Sequence, residues 1–308
     1  MALQDVEQVL IKAQAMLMQQ LPAQGQVQTA VAGMSFGRCD KVGSLGSCVS
    51  DSFISFLVQG SKETVLSGSG TFNYHAGQCL ISALSSPSSG STMSCTVTNP
   101  MLYVSLNLNF SIIDDILRQD PSLRRMPAGA YSDTIMGSAC VIDADYNLAT
   151  AFLKLIELNQ KPERIGILSP LFLTEIHYYA LLSRARPLIV EYASGGGLRH
   201  QIARAAAYLK DNYCKPVFVE DVAALVNMAP STFFRHFKDL VGVTPMQYLK
   251  QIRLHNARTM LLHDEDSVSA VAYKVGYESP SQFSRDYKRL FGLSPTSSQG
   301  GIGISRSF

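Results

Sequence analysis

Residues 230–238 read Pro230-Ser231-Thr232-Phe233-Phe234-Arg235-His236-Phe237-Lys238, and fifty positions later the chain reads Pro280-Ser281-Gln282-Phe283-Ser284-Arg285-Asp286-Tyr287-Lys288. The match continues: Leu240, Gly242, Thr244 and Pro245 fall on Leu290, Gly292, Ser294 and Pro295. Both copies follow one plan of capped helix, glycine stop and proline. Phe233, Phe237 and Leu240, like Phe283, Tyr287 and Leu290, recur at i, i+4 and i+7 and must face a core.

Upstream of each copy lies a short helical segment, 221–226 and 268–275, whose Ala223 and Ala272 let a neighbouring helix approach closely. Helix, tight turn, helix is the result. The second turn holds Gly276 for a positive φ, then Ser279-Pro280 as N-cap and first helical residue. The first substitutes Asn227, which tolerates the left-handed region, and Ala229, a poorer cap.

The outward faces carry Ser231, Thr232, Phe234, Arg235 and Lys238 in one unit, and Ser281, Gln282, Ser284, Arg285 and Lys288 in the other. Arg can bridge guanine O6 and N7, Gln can bridge adenine N6 and N7, and Lys can anchor phosphate. One such helix alone is usually a solvated surface. Two, joined by a helix over 245–262, suit successive major-groove turns about 34 Å apart, so double-stranded DNA is the expected partner.

Charge agrees with that placement. Residues 1–197 carry 12 Lys and Arg against 15 Asp and Glu, whereas 198–308 carry 14 against 9. A polyanion therefore belongs at the C-terminal end. The 308 residues are 46% hydrophobic, which suits a core-forming protein and excludes disorder throughout. The most apolar stretch, 165–182, is interrupted by Glu175 and His177, so no membrane association is expected. Asp5 and Glu7 near the start do not suit a secretory signal. Six cysteines without a CxxC pair or zinc spacing fit a reducing cytoplasm.

The front half has another texture. Val6, Val9, Leu10, Ala13, Met16, Leu17 and Leu21 form one helical stripe over 3–21. From about 30 to 110, short Val, Ile, Thr, Phe and Tyr runs are punctuated by Gly and Ser, as in a β-sandwich or barrel. Helical signals return at 111–118, 146–158 and 169–182, the last with Pro170 early in the helix and a stripe through Leu171, Ile176 and Tyr179. Ser194-Gly195-Gly196-Gly197 reads as a linker.

At this point the residues are recognisable. Ser279 to Lys288 as quoted, with Phe291-Gly292-Leu293-Ser294-Pro295, closely resembles the signature of the AraC/XylS family. The resemblance covers about 199–296 and implies a double helix-turn-helix module, with recruitment of RNA polymerase and activation of transcription as its usual role. Leu57-Val58-Gln59-Gly60-Ser61-Lys62, Tyr74-His75-Ala76-Gly77-Gln78 and Pro100-Met101-Leu102 resemble the N-terminal domain of one AraC subgroup. That implies a cupin-like barrel followed by helices, serving to sense an effector and to form a homodimer. The sequence after Pro295 departs from the family's aromatic and Arg, so the closing helix is expected to be missing.

The expected fold is thus α+β: an N-terminal domain over 1–193 with a cupin-like barrel at about 30–110 and helices at about 111–193, a linker at 194–198, an all-α DNA-binding domain at 199–296, and a flexible tail at 297–308. Tyr74, His75 and Cys79 are the candidate contacts for a small-molecule effector. A thiol sensor among Cys39, Cys48, Cys79 and Cys95 is chemically open, though buried cysteine more often acts as a small hydrophobe. A cupin enzyme would need clustered His and carboxylate ligands, and the barrel segment holds only His75. No metal, cofactor or catalysis is therefore expected. A front half that only dimerises is the competing reading.

Overall fold

Alternation of apolar and small polar residues builds the N-terminal sheets. The computed structural model describes residues 2–125, 135–193, 196–263 and 266–299. Helix α1 (Ala2–Gln20) precedes nine strands: β1 (Gly25–Gln28), β2 (Met34–Cys39), β3 (Gly43–Ser50), β4 (Phe53–Gln59), β5 (Ser61–Leu66), β6 (Gly70–His75), β7 (Gln78–Ser82), β8 (Ser86–Ser94) and β9 (Met101–Asn107). Two further strands, β10 (Ile135–Met136) and β11 (Ala139–Asp143), lie where only helices were expected. One sheet runs β1-β2-β9-β4-β7-β11-β10 and the other β3-β8-β5-β6, with antiparallel pairing throughout. The two face each other as a barrel.

In β4 and β9 the period of two divides labour. Ile54, Phe56, Val58, Leu102, Val104 and Leu106 point out of the barrel into the larger apolar core. Phe53, Leu57, Met101 and Tyr103 point inward, where they join Leu80, Phe72 and Tyr74 in a smaller core. Helices α1 and α3 (Tyr146–Leu158) cover the outer face, and Phe56 stacks on Phe152 at 5.0 Å between centroids. Arg38 is buried, and its guanidinium donates to Asp40 at 2.7 Å and to the Leu21 carbonyl at 2.9 Å, tying the end of α1 to β2.

Helix α2 (Phe110–Gln119) and α3 start at their side-chain caps, Asn109 and Asp145. Helix α4 runs Pro162–Leu182, so it begins about two turns before the expected 169, with Pro170 in its interior. Pro170 and Gly166 four residues earlier are both exposed, which leaves the strained turn on the solvent side. The expected stripe is also divided: Ile176 is fully buried, whereas Leu171 stands 60% exposed. This is the helix among the described residues long and apolar enough to span a bilayer, and its buried face packs on α3, with Lys154 and Glu175 paired at 2.7 Å.

After α5 (Arg186–Ala193) come α6 (Leu198–Asp211), α7 (Val219–Leu225), α8 (Pro230–Val241), α9 (Pro245–His263), α10 (Val268–Lys274), α11 (Pro280–Phe291) and α12 (Pro295–Gln299). The expectation of a missing closing helix is corrected by α12. Small residues there allow close docking: Ser298 is buried and accepts a hydrogen bond from the Tyr287 hydroxyl at 2.9 Å. Residues 194, 195 and 300–308 lie outside the described ones, and with them most of the expected tail.

Candidate nucleic-acid interface and barrel cavity

The turns of the two helix-turn-helix units close in the same way. The amide of Met228 donates to the Ala223 carbonyl and that of Asn227 to Ala224, while Tyr277 donates to Ala272 and Gly276 to Tyr273. This is the double closure of a Schellman motif, which requires a left-handed residue just past the helix. Asn227 takes it at φ 55° and Gly276 at φ 91°. Ala223 and Ala272 are fully buried at the helix crossing, as their size requires.

The following helices differ at their starts. Ser279 caps α11 by accepting from the Gln282 amide at 3.3 Å, whereas Ala229 offers α8 no side-chain cap. Phe233, Phe237, Phe283 and Tyr287 are fully buried, while Leu240 and Leu290 are half-buried at the edge of the core. Outward stand Ser231, Phe234, Arg235 and Lys238 on α8, with Ser281, Gln282, Arg285 and Lys288 on α11; Thr232 and Ser284 are half-exposed. Each unit thus brings its expected residues onto one accessible face. Helix α9, with 19 residues, joins the units across about 28 Å.

Asp286 was not singled out in the sequence, and it organises the second face. Its buried carboxylate accepts from Gln282 Nε2 at 3.0 Å and pairs with Lys250 of α9 at 3.1 Å. Gln282 Oε1 in turn accepts from Arg285 Nη2 at 3.0 Å. Burial works to raise the Asp286 pKa, but the bonds from Gln282 and Lys250 prevail and hold it below the ordinary carboxylate value. Gln282 and Arg285 are therefore oriented before any partner arrives. The repeat places His236 opposite Asp286, and that break in the pattern was the available signal.

The first unit is instead joined to the barrel. One continuous apolar core runs from Val9 through Phe233, Phe237 and Tyr248 to Ile252, while Phe283 and Tyr287 belong to a separate core with Leu254 and Val271. Lys210 of α6 pairs with Asp51, the Tyr248 hydroxyl donates to Ser85 at 2.8 Å, and Arg199 donates to the Gly137 carbonyl at 2.5 Å. Gly242, at the end of α8, lies against the β5–β6 turn so closely that a Cβ there would sit 2.3 Å from the Gly68 nitrogen.

Inside the barrel is a cavity of about 480 Å3 lined from β1 to β5, β8 and β9. Ser35, Ser105 and Ser55 form one rung across β2, β9 and β4, and all three line it. Lys62 and Thr64 face it from β5, with Asn107 and Asp51 at its rim. Asn107 donates to Asp51 at 3.4 Å, so one hydrogen bond and one ion pair connect cavity to α6. A crevice of about 350 Å3 between the rim and α6 shares Asp51 and Asn107 with it.

A family model described as AraC-type transcriptional regulator N-terminus matches residues 30–188, and one described as helix-turn-helix domain matches 222–299. The chain belongs to the AraC-type transcriptional regulators. The lactose operon transcription activator of Staphylococcus xylosus is 34% identical over 97 residues, 32% of this chain and 35% of that protein. The activator RhaS of Klebsiella pneumoniae is 35% identical over 89 residues, 29% of this chain and 32% of that one. The chain thus spans about a third of the length of these curated relatives. ToxT from Vibrio cholerae, in an apo form, shares the fold with a TM-score of 0.59 at 11% identity, over 88% of this chain and 98% of that one. A ToxT structure with a bound unsaturated fatty acid gives 0.57 at 13%, over 88% and 97%.

In this AraC-type regulator the three expected effector contacts part company, because neighbouring strand positions face opposite ways. Tyr74 points into the barrel below the cavity and donates to Ser55 at 3.3 Å. His75, the next residue, is exposed, with Nδ1 3.1 Å from the Ala76 carbonyl. Cys79 is buried on the outer face; burial, with Asp145 and Cys140 nearby, raises its pKa well above that of a free thiol. None of the three borders the cavity; Tyr74 reaches it only through its bond to Ser55. Of the other barrel cysteines, Cys39 and Cys95 are buried in the inner core and Cys48 is exposed at the cavity mouth. Sequence reading missed the serine rung, Lys62 and Thr64; the signal was small polar residues at inward positions of otherwise apolar strands.

Proposed function

We propose that this regulator binds double-stranded DNA through α8 and α11 in successive major grooves, and that a small molecule in the barrel cavity controls its occupancy. The carrying observation is the pair of equivalent exposed faces joined by α9. Ser231, Thr232, Phe234, Arg235 and Lys238 would read one half-site, and Ser281, Gln282, Ser284, Arg285 and Lys288 the other. The activator relatives support activation of transcription, for which RNA polymerase would be the partner, and their being transcription regulators supports a non-enzymatic role in the cytoplasm. The fatty acid held by ToxT supports effector binding by this fold. A homodimer is supported by α4, whose Ile167, Leu171, Tyr178 and Leu182 form an exposed apolar stripe. Residues 194–198 serve as the link between sensing and reading domains.

The test begins by selecting a site from random-sequence duplexes with the full chain. Arg235→Ala and Arg285→Ala should each weaken binding to that site by roughly 1–3 kcal/mol, and each should relax base preference in a different half-site. Equal losses on selected and unselected DNA would refute base reading by these residues.

A further inference from the structure

The barrel cavity contains a charge without a counter-charge. Lys62 projects from β5 into the barrel, paired across the sheet with Tyr74 and Thr92. Its ammonium lies 4.3 Å from the centroid of the Tyr103 ring. Tyr103 can lie flat across β2 because residue 37 is glycine: a Cβ there would stand 2.1 Å from the ring. Among the described residues no carboxylate lies within ion-pairing distance of Lys62, and Asp51 at the rim is already engaged by Lys210. Burial alone would lower the Lys62 pKa, but the facing oxygens of Tyr74 and Tyr103, with Cys48, hold it above the ordinary lysine value. The ammonium therefore stays protonated, which makes it an anion anchor and a poor nucleophile.

A second, independent group points the same way. Thr64, two residues along β5 and so on the same face, is 5% exposed, and its Oγ1 has no hydrogen-bond partner. Buried hydroxyls are normally satisfied, so an orphan bordering a cavity marks a position for a ligand's polar atom. Opposite it stands the rung of Ser35, Ser105 and Ser55. A volume of about 480 Å3 falls within the range of small-molecule sites, roughly 300–1,000 Å3. Hydroxyl and amide walls favour a hydroxylated compound over an alkyl chain, which would leave them unpaired.

We propose that the barrel cavity binds a small polyhydroxylated carboxylate, of the sugar-acid or hydroxy-acid class, with its carboxylate at Lys62 Nζ and a hydroxyl at Thr64 Oγ1. The proposal rests on the effector reading above and names the ligand class for it. Its connection to the DNA-binding module is the path from Asn107 to Asp51 to Lys210.

The experiment is isothermal titration of the full chain with gluconate and glucuronate, against glucose and glucitol as neutral counterparts and octanoate as an apolar acid. At least one sugar acid should bind more tightly than all three controls. Lys62→Met, which keeps the length of the side chain, should weaken that binding about 10- to 100-fold, with partial recovery in Lys62→Arg. Thr64→Val should weaken it less. Neutral sugars binding as well as the acids, octanoate binding best, no binding by either sugar acid, or indifference to Lys62→Met in a folded variant would each overturn the assignment. Affinity for the selected DNA, measured with and without ligand, separates this from the broader reading. Neutral sugars that bind and change DNA affinity would sink the anion assignment alone, whereas Lys62-dependent acid binding with unchanged DNA affinity would uphold it and sink effector control.

Discussion

Gly242 and Gly292 end α8 and α11 in the same left-handed conformation, at φ 82° and 73°. A methyl group on Gly242 would strike the backbone of the barrel's β5–β6 turn, while one on Gly292 would meet open space. The difference extends behind the helices: the first unit shares its core with the sensing domain, and the second has its own. The unit fused to the barrel has no side-chain cap, and the independent one has both Ser279 and the Asp286 network. Where tertiary packing holds a helix, local capping can be dispensed with. Where a helix packs only on the small core of its own unit, a side-chain cap and a polar network add to its order and aim its side chains.

The largest expected effect tests whether the cores are separate. Phe233→Ala and Phe283→Ala should each cost about 3–5 kcal/mol. Calorimetry should show the first lowering the main transition of the chain and the second splitting off an early transition of the C-terminal helices. A single cooperative transition in both variants would break the comparison. Next is the glycine pair. Gly292→Ala should cost about 1–2 kcal/mol from the left-handed backbone alone. Gly242→Ala should cost more and should expose the interface between barrel and α8 to limited proteolysis. Equal costs would mean that the close contact with Gly68 contributes nothing.

A smaller effect separates the two readers. Asp286→Asn should weaken binding at the second half-site by roughly 1 kcal/mol, because Gln282 and Arg285 lose their orientation, and leave the first half-site unchanged. Quantitative footprinting would show it, and loss at both half-sites would count against a local role. The smallest is pH. His255 of α9 packs against Phe291 of α11 at 5.2 Å, and burial, with the charge of Arg258, pushes its pKa down to about 4. The unfolded chain takes up that proton near pH 6.5. Stability from this group is therefore complete above that pH and declines as pH falls toward 4. Between pH 7 and 6 the early transition should drop by about 2–4 °C and His255→Gln should flatten the slope; an unchanged slope would remove His255 from the account.

How much of this was legible in the sequence depended on whether a feature repeats. The turns, the glycine stops, the Ser279 cap and the buried aromatic rows followed from comparing residues 230–245 with 280–295. Asp286 did not, because its partner Lys250 lies on another helix and its counterpart is His236. The barrel was legible as a texture of short strands, but β10 has only two residues and β11 follows α2, outside the strand-rich stretch, where its pairing with β7 is a long-range contact. Lys62 lay within a quoted stretch and passed unnoticed, since its inward direction follows only from the register of β5 against β6 and β8. His75 and Cys79 failed as cavity contacts for the same reason: one step along a strand reverses the face.

Native-state hydrogen exchange on the full chain tests most directly the claim that the first unit belongs to the barrel and the second stands apart. Amides of α7 and α8 should open together with the barrel strands, at one free energy, and those of α10 and α11 should open separately at a lower one. Exchange of all four helices as one unit, independent of the barrel, would contradict it.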